Sequence, residues 1–229
     1  MQIAGLQKTS LVDYPAKIAT VIFTLGCNFR CPYCHNPNLI TAVSSDSLFD
    51  ETVVFDFLKQ RQGKIDAVVV SGGEPTIQKN LKKFFQKIKD LGFLAKLDTN
   101  GTNPDLLLDL VDSHLIDYVA MDIKAPLEKY TDVVCRNVDI LKIQESIDFL
   151  IQCSVDYEFR TTVVKSQLTI NDFEKIGHLL SGAKRYYLQK FVNTTTLNFN
   201  FKYEQTYSDE EFTTIKKLLS PHISQVYVR

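Results

Sequence analysis

The sequence predicts an α/β protein built on a parallel sheet with right-handed crossovers, either doubly wound or wound as an open barrel. Three observations carry that expectation. Short apolar, β-branched runs recur along the 229 residues, and amphipathic stretches with helix-start signals fill the gaps. The unusual polar residues fall where the runs end, which is where parallel sheets collect their ligands.

The runs at residues 18–25, 67–71, 93–98, 118–122, 157–164 and 186–191 read as strands, with a further one at 225–228. Several are apolar almost throughout, as parallel strands covered by helices are. After Asp50, the pairs Val53/Val54 and Phe57/Leu58 recur on one helical face. Leu81, Phe84, Phe85 and Ile88 follow the i, i+3, i+4, i+7 rule, with Lys82, Lys83 and Lys87 on the wet side. Asn103 before Pro104 reads as an N-cap followed by proline at the first helical position. Asn171 with Glu174, and Ser208 with Glu211, have capping-box spacing, and a helix is expected over residues 141–151. The pattern is βα repeated six times, then a final helix and a last strand. Phe199, Phe201 and Tyr203 alternate like a half-buried strand, so core packing is their default. Residues 193–207 carry no role legible in the sequence.

Composition excludes several classes. Hydrophobic residues make up 45% and charged residues 23%, ordinary for a globular chain long enough to bury its own core. Twenty-six basic against twenty-seven acidic residues leave a net charge of −1, without the basic excess of a nucleic-acid or anionic-membrane binder. No apolar run approaches the roughly 18–20 residues of a membrane span, and the first residues lack the order of a secretory signal. Five cysteines with no export signal point to a reducing cytoplasm, where clustered thiols bind metal more often than they pair.

Three of the five, Cys27, Cys31 and Cys34, fall within Gly26-Cys27-Asn28-Phe29-Arg30-Cys31-Pro32-Tyr33-Cys34-His35-Asn36. Thiolates at i, i+4 and i+7 on a tight loop suit a soft metal centre, either zinc or iron–sulfur. A zinc site would need His35 as a fourth ligand, and adjacent Cys34 and His35 reach one tetrahedral ion only with strain. An iron–sulfur cluster needs only the three thiolates if one iron is left for another ligand. Cys135 and Cys153 stand alone as ordinary thiols.

The Cys-x₃-Cys-x₂-Cys loop after the first strand, with Tyr33 before its last cysteine, resembles the radical S-adenosylmethionine (SAM) signature. Gly72-Gly73-Glu74-Pro75, after the second strand, is similar to that superfamily's glycine-rich SAM motif. Leu11-Val12-Asp13-Tyr14-Pro15 ahead of the first strand narrows the likeness to the glycyl-radical-enzyme activases, most of all those of anaerobic ribonucleoside-triphosphate reductase. The resemblance implies an open partial (β/α)₆ barrel, an incomplete TIM barrel of the radical SAM type. It also implies a single radical SAM domain over residues 1–229, with extensions at 1–17 and 193–229.

Residue by residue, the likeness implies a [4Fe-4S] cluster held by Cys27, Cys31 and Cys34, with SAM chelating the fourth iron. Gly72, Gly73 and Glu74 would meet the SAM amino group, and Tyr33 would lie against the adenine. Asp98, Thr99 and Asn100, with Asp122 and Lys124, match loops around the SAM ribose and carboxylate; Arg160 would add positive charge, and the two aspartates can hold a monovalent cation. Asp13 is similar to an activase aspartate that faces the partner's glycine loop. The implied chemistry is reductive cleavage of SAM to methionine and a 5′-deoxyadenosyl radical, which takes a hydrogen from one glycine of a partner enzyme. A low-potential donor such as flavodoxin or ferredoxin would supply the electron, and the protein would be cytoplasmic. Alternatives are an activase of the pyruvate formate-lyase type, a small-molecule radical SAM enzyme such as a deazapurine synthase and, remotely, a zinc-stabilised binding module without catalysis.

Overall fold

The computed structural model describes residues 1–40 and 48–229. In chain order its elements are β1 (Ile3–Ser10), β2 (Ala19–Thr24), α1 (Glu51–Gln60), β3 (Ala67–Gly72), α2 (Leu81–Asp90), β4 (Leu94–Thr99), α3 (Pro104–Asp112), β5 (Tyr118–Asp122), α4 (Tyr130–Val134), α5 (Ile140–Gln152), β6 (Asp156–Val163), α6 (Ile170–Leu179), β7 (Arg185–Lys190), α7 (Asp209–Leu219) and β8 (Gln225–Val228). The expected alternation of strand and helix is therefore present, and no helix among the described residues is long and apolar enough to cross a membrane.

The chain divides into two compact units. The first comprises Met1–Asn28, Asn38–Thr99 and Asn103–Ala120; the second comprises Phe29–Pro37, Asn100–Thr102 and Met121–Arg229. β5 gives its first residues to one unit and its last to the other. Within each unit strand order follows chain order without reversing. That is how barrels wind; a doubly wound sheet would switch direction.

In the first unit β2, β3 and β4 run parallel, with Ala19 opposite Ala67 and Ala67 opposite Leu94. Val68, Val69 and Val70 are fully buried, because the strand is enclosed on both faces. On one face Ala19, Val21, Ala67 and Val69 pack with Tyr14 and Tyr118, whose rings meet at 5.6 Å. The small alanines leave room for those rings. On α2, Leu81, Phe84, Phe85 and Ile88 are all buried, as the spacing predicts. Each contributes about 1.5–3 kcal/mol, and Phe84 meets Phe55 of α1 at 4.9 Å. Asp50 and Asn103 cap α1 and α3 as expected, accepting from Thr52 N and Leu106 N. On α1 the buried set is Val54, Phe55 and Leu58, whereas Val53 is exposed.

β1 is not foreseen by the sequence reading. It pairs antiparallel with β2, Ile3 opposite Thr24 and Ser10 opposite Ala19. Its middle is solvated and interrupted by bulges, so neither an apolar run nor clean alternation announces it.

In the second unit β6, β7 and β8 are parallel, with Phe159 opposite Tyr186 and Tyr186 opposite Val226. α5 buries Ile143, Ile147 and Leu150; α7 buries Phe212, Ile215 and Leu219 behind the expected Ser208–Glu211 capping box. The capping box of α6 is Thr169 with Asp172, two residues earlier than the expected Asn171 and Glu174. Both pairs have the same spacing; the turn that closes at Thr169 selects the first. Residues 199–203 are not a strand but a 3₁₀ turn, Phe199–Tyr203. Phe199 and Tyr203 are 71% and 74% exposed, which overturns their expected place in the core. Lys202 lies over both rings, at 3.6 and 4.6 Å from their centroids, a cation–π contact to each.

Candidate active site at the cysteine loop and the strand ends

In the first unit, the end of β2 and the loop after β3 are joined backbone to backbone. Gly73 N–H donates to Thr24 O at 3.0 Å, Glu74 N–H to Gly26 O at 2.8 Å, and Gly26 N–H to Leu39 O at 2.7 Å. The two glycines are what permits this. Gly72 sits at φ +124°, and a Cβ there would stand 2.2 Å from Thr24 N. A Cβ on Gly73 would stand 1.9 Å from Gly26 O. Any side chain at either position would drive the two loops apart.

Glu74 is 1% exposed. One carboxylate oxygen accepts from Thr76 N–H at 3.0 Å, the Thr76 hydroxyl at 2.5 Å and the Thr99 hydroxyl at 2.7 Å, which fixes its rotamer. Asp98 pairs with Lys96 at 3.0 Å and accepts from the Ser71 hydroxyl at 3.1 Å. Lys96, only 3% exposed, also donates to Asp13 O and lies 5.7 Å from the centroid of the Tyr118 ring. Asp13 itself takes the Ser10 hydroxyl, while the tip beside it, Leu11 and Val12, is 72% and 83% exposed. Thus Gly72, Gly73, Glu74, Asp98 and Thr99 stand at adjoining strand ends. Ser71, Thr76 and Lys96, which the sequence reading passes over, hold the two carboxylates. Cys27 lies one residue beyond Gly26 in this unit.

The second unit holds the rest of the cysteine loop, residues Phe29–Pro37. Arg30 N–H donates to Val134 O at 2.9 Å, Phe29 meets Tyr130 edge-on at 6.3 Å, and Cys34 N–H closes a turn on Cys31 O at 3.0 Å. Cys31 is 7% exposed, and burial pushes its thiol up. Tyr33 is 4% exposed; its hydroxyl finds no nitrogen or oxygen partner and faces the Cys31 thiol instead. His35 is not at the cysteines' centre: its ring stacks on Phe191 at 5.5 Å, and its Nε2 meets Val192 O at 2.8 Å.

Asp122, at the end of β5, takes Arg160 Nε on one oxygen at 2.9 Å and Lys124 Nζ on the other at 3.1 Å. Burial alone would raise this carboxyl; the two cations outweigh it and hold it at about 2. Lys124 is held well above its usual value, since Asp122 and the nearby Tyr33 and Cys31 outweigh the lowering effect of burial. Tyr130 brackets the strand end, donating to Asp122 O and accepting Lys124 N–H at 3.2 Å. Arg160 is therefore a partner of Asp122 rather than a solvent-facing arginine. Asn100 turns its side chain onto Thr102, accepting the hydroxyl at 2.7 Å and the N–H at 3.1 Å. His178 and His222, unconnected by any spacing in the sequence, meet at 4.3 Å elsewhere in this unit.

The donor set fits an iron–sulfur cluster better than zinc. His35, the fourth ligand a zinc site would need, is turned away onto Phe191 and Val192 O. A zinc site of this sequence would lack its fourth ligand, whereas a cluster needs only three thiolates. Lys124 adds the positive charge an anionic ligand group needs, and the orphaned Tyr33 hydroxyl faces a sulfur that would become a thiolate acceptor.

A family model described as the radical SAM superfamily matches residues 21–180. A Methanocaldococcus jannaschii protein named as a glycyl-radical enzyme activating enzyme is 34% identical over 236 residues, covering 99% of this chain and 95% of its own. A pyruvate formate-lyase-activating enzyme of Staphylococcus aureus is 35% identical over 102 residues, 42% of this chain and 40% of that one. Among solved structures, Streptococcus suis SuiB bound to S-adenosylmethionine superimposes with a TM-score of 0.71 at 12% identity, over 91% of this chain and 49% of that one. That likeness establishes the fold.

Proposed function

The chain belongs to the radical SAM superfamily and, within it, to the activating enzymes of glycyl radical enzymes; from that premise we propose that it makes a glycyl radical on anaerobic ribonucleoside-triphosphate reductase. The observation that carries the reading is the backbone junction of Gly73 and Glu74 with Thr24 and Gly26, the residue just before the Cys27-x₃-Cys31-x₂-Cys34 motif. A [4Fe-4S] cluster and SAM, when bound, supply a low-potential electron and a sulfonium carbon–sulfur bond to be cleaved by it.

The residues divide the work. Cys27, Cys31 and Cys34 ligate three irons. Gly72, Gly73 and Glu74 receive the SAM amino group, since only glycines allow backbone carbonyls so close. Lys124 and Arg160 are held charged beside Asp122 and offer positive potential to the SAM carboxylate. Asp98, Thr99 and Asn100 would line the ribose side. Tyr33 would offer a buried wall to the adenine. The exposed Leu11–Val12 tip, with Asp13 anchored behind it by Lys96, offers the partner's glycine loop a place to dock. A flavodoxin or ferredoxin serves as electron donor.

The test is anaerobic reconstitution with iron and sulfide, then SAM and dithionite. 5′-Deoxyadenosine should form, and should vanish in a Cys27/Cys31/Cys34→Ala variant. With anaerobic ribonucleotide reductase added, the doublet of a glycyl radical should appear in its EPR spectrum. A doublet only with a pyruvate formate-lyase would reassign the partner. Colourless protein carrying zinc would end the reading altogether.

A further inference from the structure

We propose that residues 191–198, which follow β7, form a clamp that holds residues 32–35 of the cysteine loop in the conformation that presents Cys31 and Cys34 to the cluster. The inference rests on the cluster reading above. Its basis is a set of contacts made to consecutive loop residues by one short segment.

Asn198 N–H donates to Pro32 O at 2.9 Å, and Leu197 N–H donates to Cys34 O at 3.0 Å. His35 stacks nearly parallel on Phe191, at 10°, and its Nε2 bonds Val192 O at 2.8 Å. A carbonyl only accepts, so this nitrogen carries the proton. The clamp is itself braced. The Thr196 hydroxyl donates to Asn198 O at 2.8 Å, the Asn198 side chain accepts from Asn200 N–H at 3.0 Å, and Phe191 meets Phe201 edge-on at 6.4 Å.

The physical need is plain. Residues 30–36 have no strand or helix of their own, and a backbone turn from Cys34 N–H to Cys31 O lies within them. A loop that samples many conformations presents its thiolates together only a fraction of the time, and its apparent affinity falls by that fraction. The clamp takes up the carbonyls before and at Cys34 and pins the side chain just after it. His35 is then a positioning residue, not a ligand, which accounts for its place beside Cys34.

The test compares cluster loss rather than activity. Wild type, Leu197→Ala, Leu197→Pro, His35→Phe and His35→Gln are reconstituted and exposed to an iron chelator. Decay of the cluster's visible absorbance is followed, and EPR spectra of the reduced clusters are recorded. Leu197→Ala keeps the N–H and should behave as wild type. Leu197→Pro and His35→Phe each remove one donor and should lose iron roughly two- to tenfold faster, the worth of one hydrogen bond, with altered EPR g-values. His35→Gln returns an N–H and should recover part of the difference. If Leu197→Pro does not fold, the His35 pair decides. Equal rates and spectra for His35→Phe and wild type would overturn the clamp alone. A wild type that takes up no iron and sulfide would overturn the cluster reading, and the clamp with it.

Discussion

Replacing Gly73 by alanine tests the backbone junction between the cysteine loop and the glycine motif. The new Cβ would stand 1.9 Å from Gly26 O and 2.5 Å from Gly26 C. Ordinary carbon–oxygen contacts begin near ~3.3 Å, so the carbonyl must retreat by more than about an ångström. That breaks the 2.8 Å bond from Glu74 N–H, worth about 1 kcal/mol. Overpacking of this kind costs about 1–3 kcal/mol more. The total, about 2–4 kcal/mol, should lower the melting temperature of the metal-free protein by roughly 5–15 °C for a chain of this size. Gly92→Ala is the control: φ is +82° there, but nothing lies within 4 Å of the new Cβ. It should suffer only left-handed backbone strain, about 1 kcal/mol, and a few degrees. Thermal unfolding followed by circular dichroism measures both. A Gly73→Ala protein that melts no lower than Gly92→Ala would refute the junction.

Three further outcomes are expected. Asp122→Asn should cost about 2 kcal/mol near neutral pH, the linkage value of a carboxyl lowered from 3.8 to about 2. Because the folded value is the depressed one, that stability is complete above about 4 and lost as pH falls through about 2, so urea midpoints of variant and wild type should converge in acid. Lys96→Met removes the cation paired with the largely buried Asp98 and should cost about 3–5 kcal/mol, while adding Asp98→Asn should recover much of it; equal melting temperatures for the single and double variants would contradict this. Replacing Leu11 and Val12 by serine should leave melting unchanged, given their exposure, yet reduce glycyl radical yield on the partner without reducing 5′-deoxyadenosine formed in its absence. Unchanged radical yield would remove the tip from the docking surface.

What the sequence made legible follows the strength of its local signals. β3 and α2 were readable because Val68–Val70 form an unbroken buried run and Leu81–Ile88 a clean helical stripe. The cysteine and glycine motifs announced themselves by spacing. Other features depend on partners far along the chain. Lys96 interrupts a strand and reads as a surface residue until Asp98 and Asp13 O are seen around it. Arg160 meets Asp122 across 38 residues, which no periodicity predicts. Phe199, Phe201 and Tyr203 mimic a strand's period, yet Asn198 turns the chain at Asn200 and a 3₁₀ turn places two of the three rings in solvent.

The bond between His35 and Val192 O spans 157 residues, and this distance sets a schedule during synthesis. At about 5–20 residues per second, roughly 8–30 s separate emergence of residues 32–35 from emergence of the segment that bonds them. For that interval the loop lacks the partners that hold Pro32 O, Cys34 O and the His35 ring. The loop therefore reaches its final conformation only after most of the chain has been made.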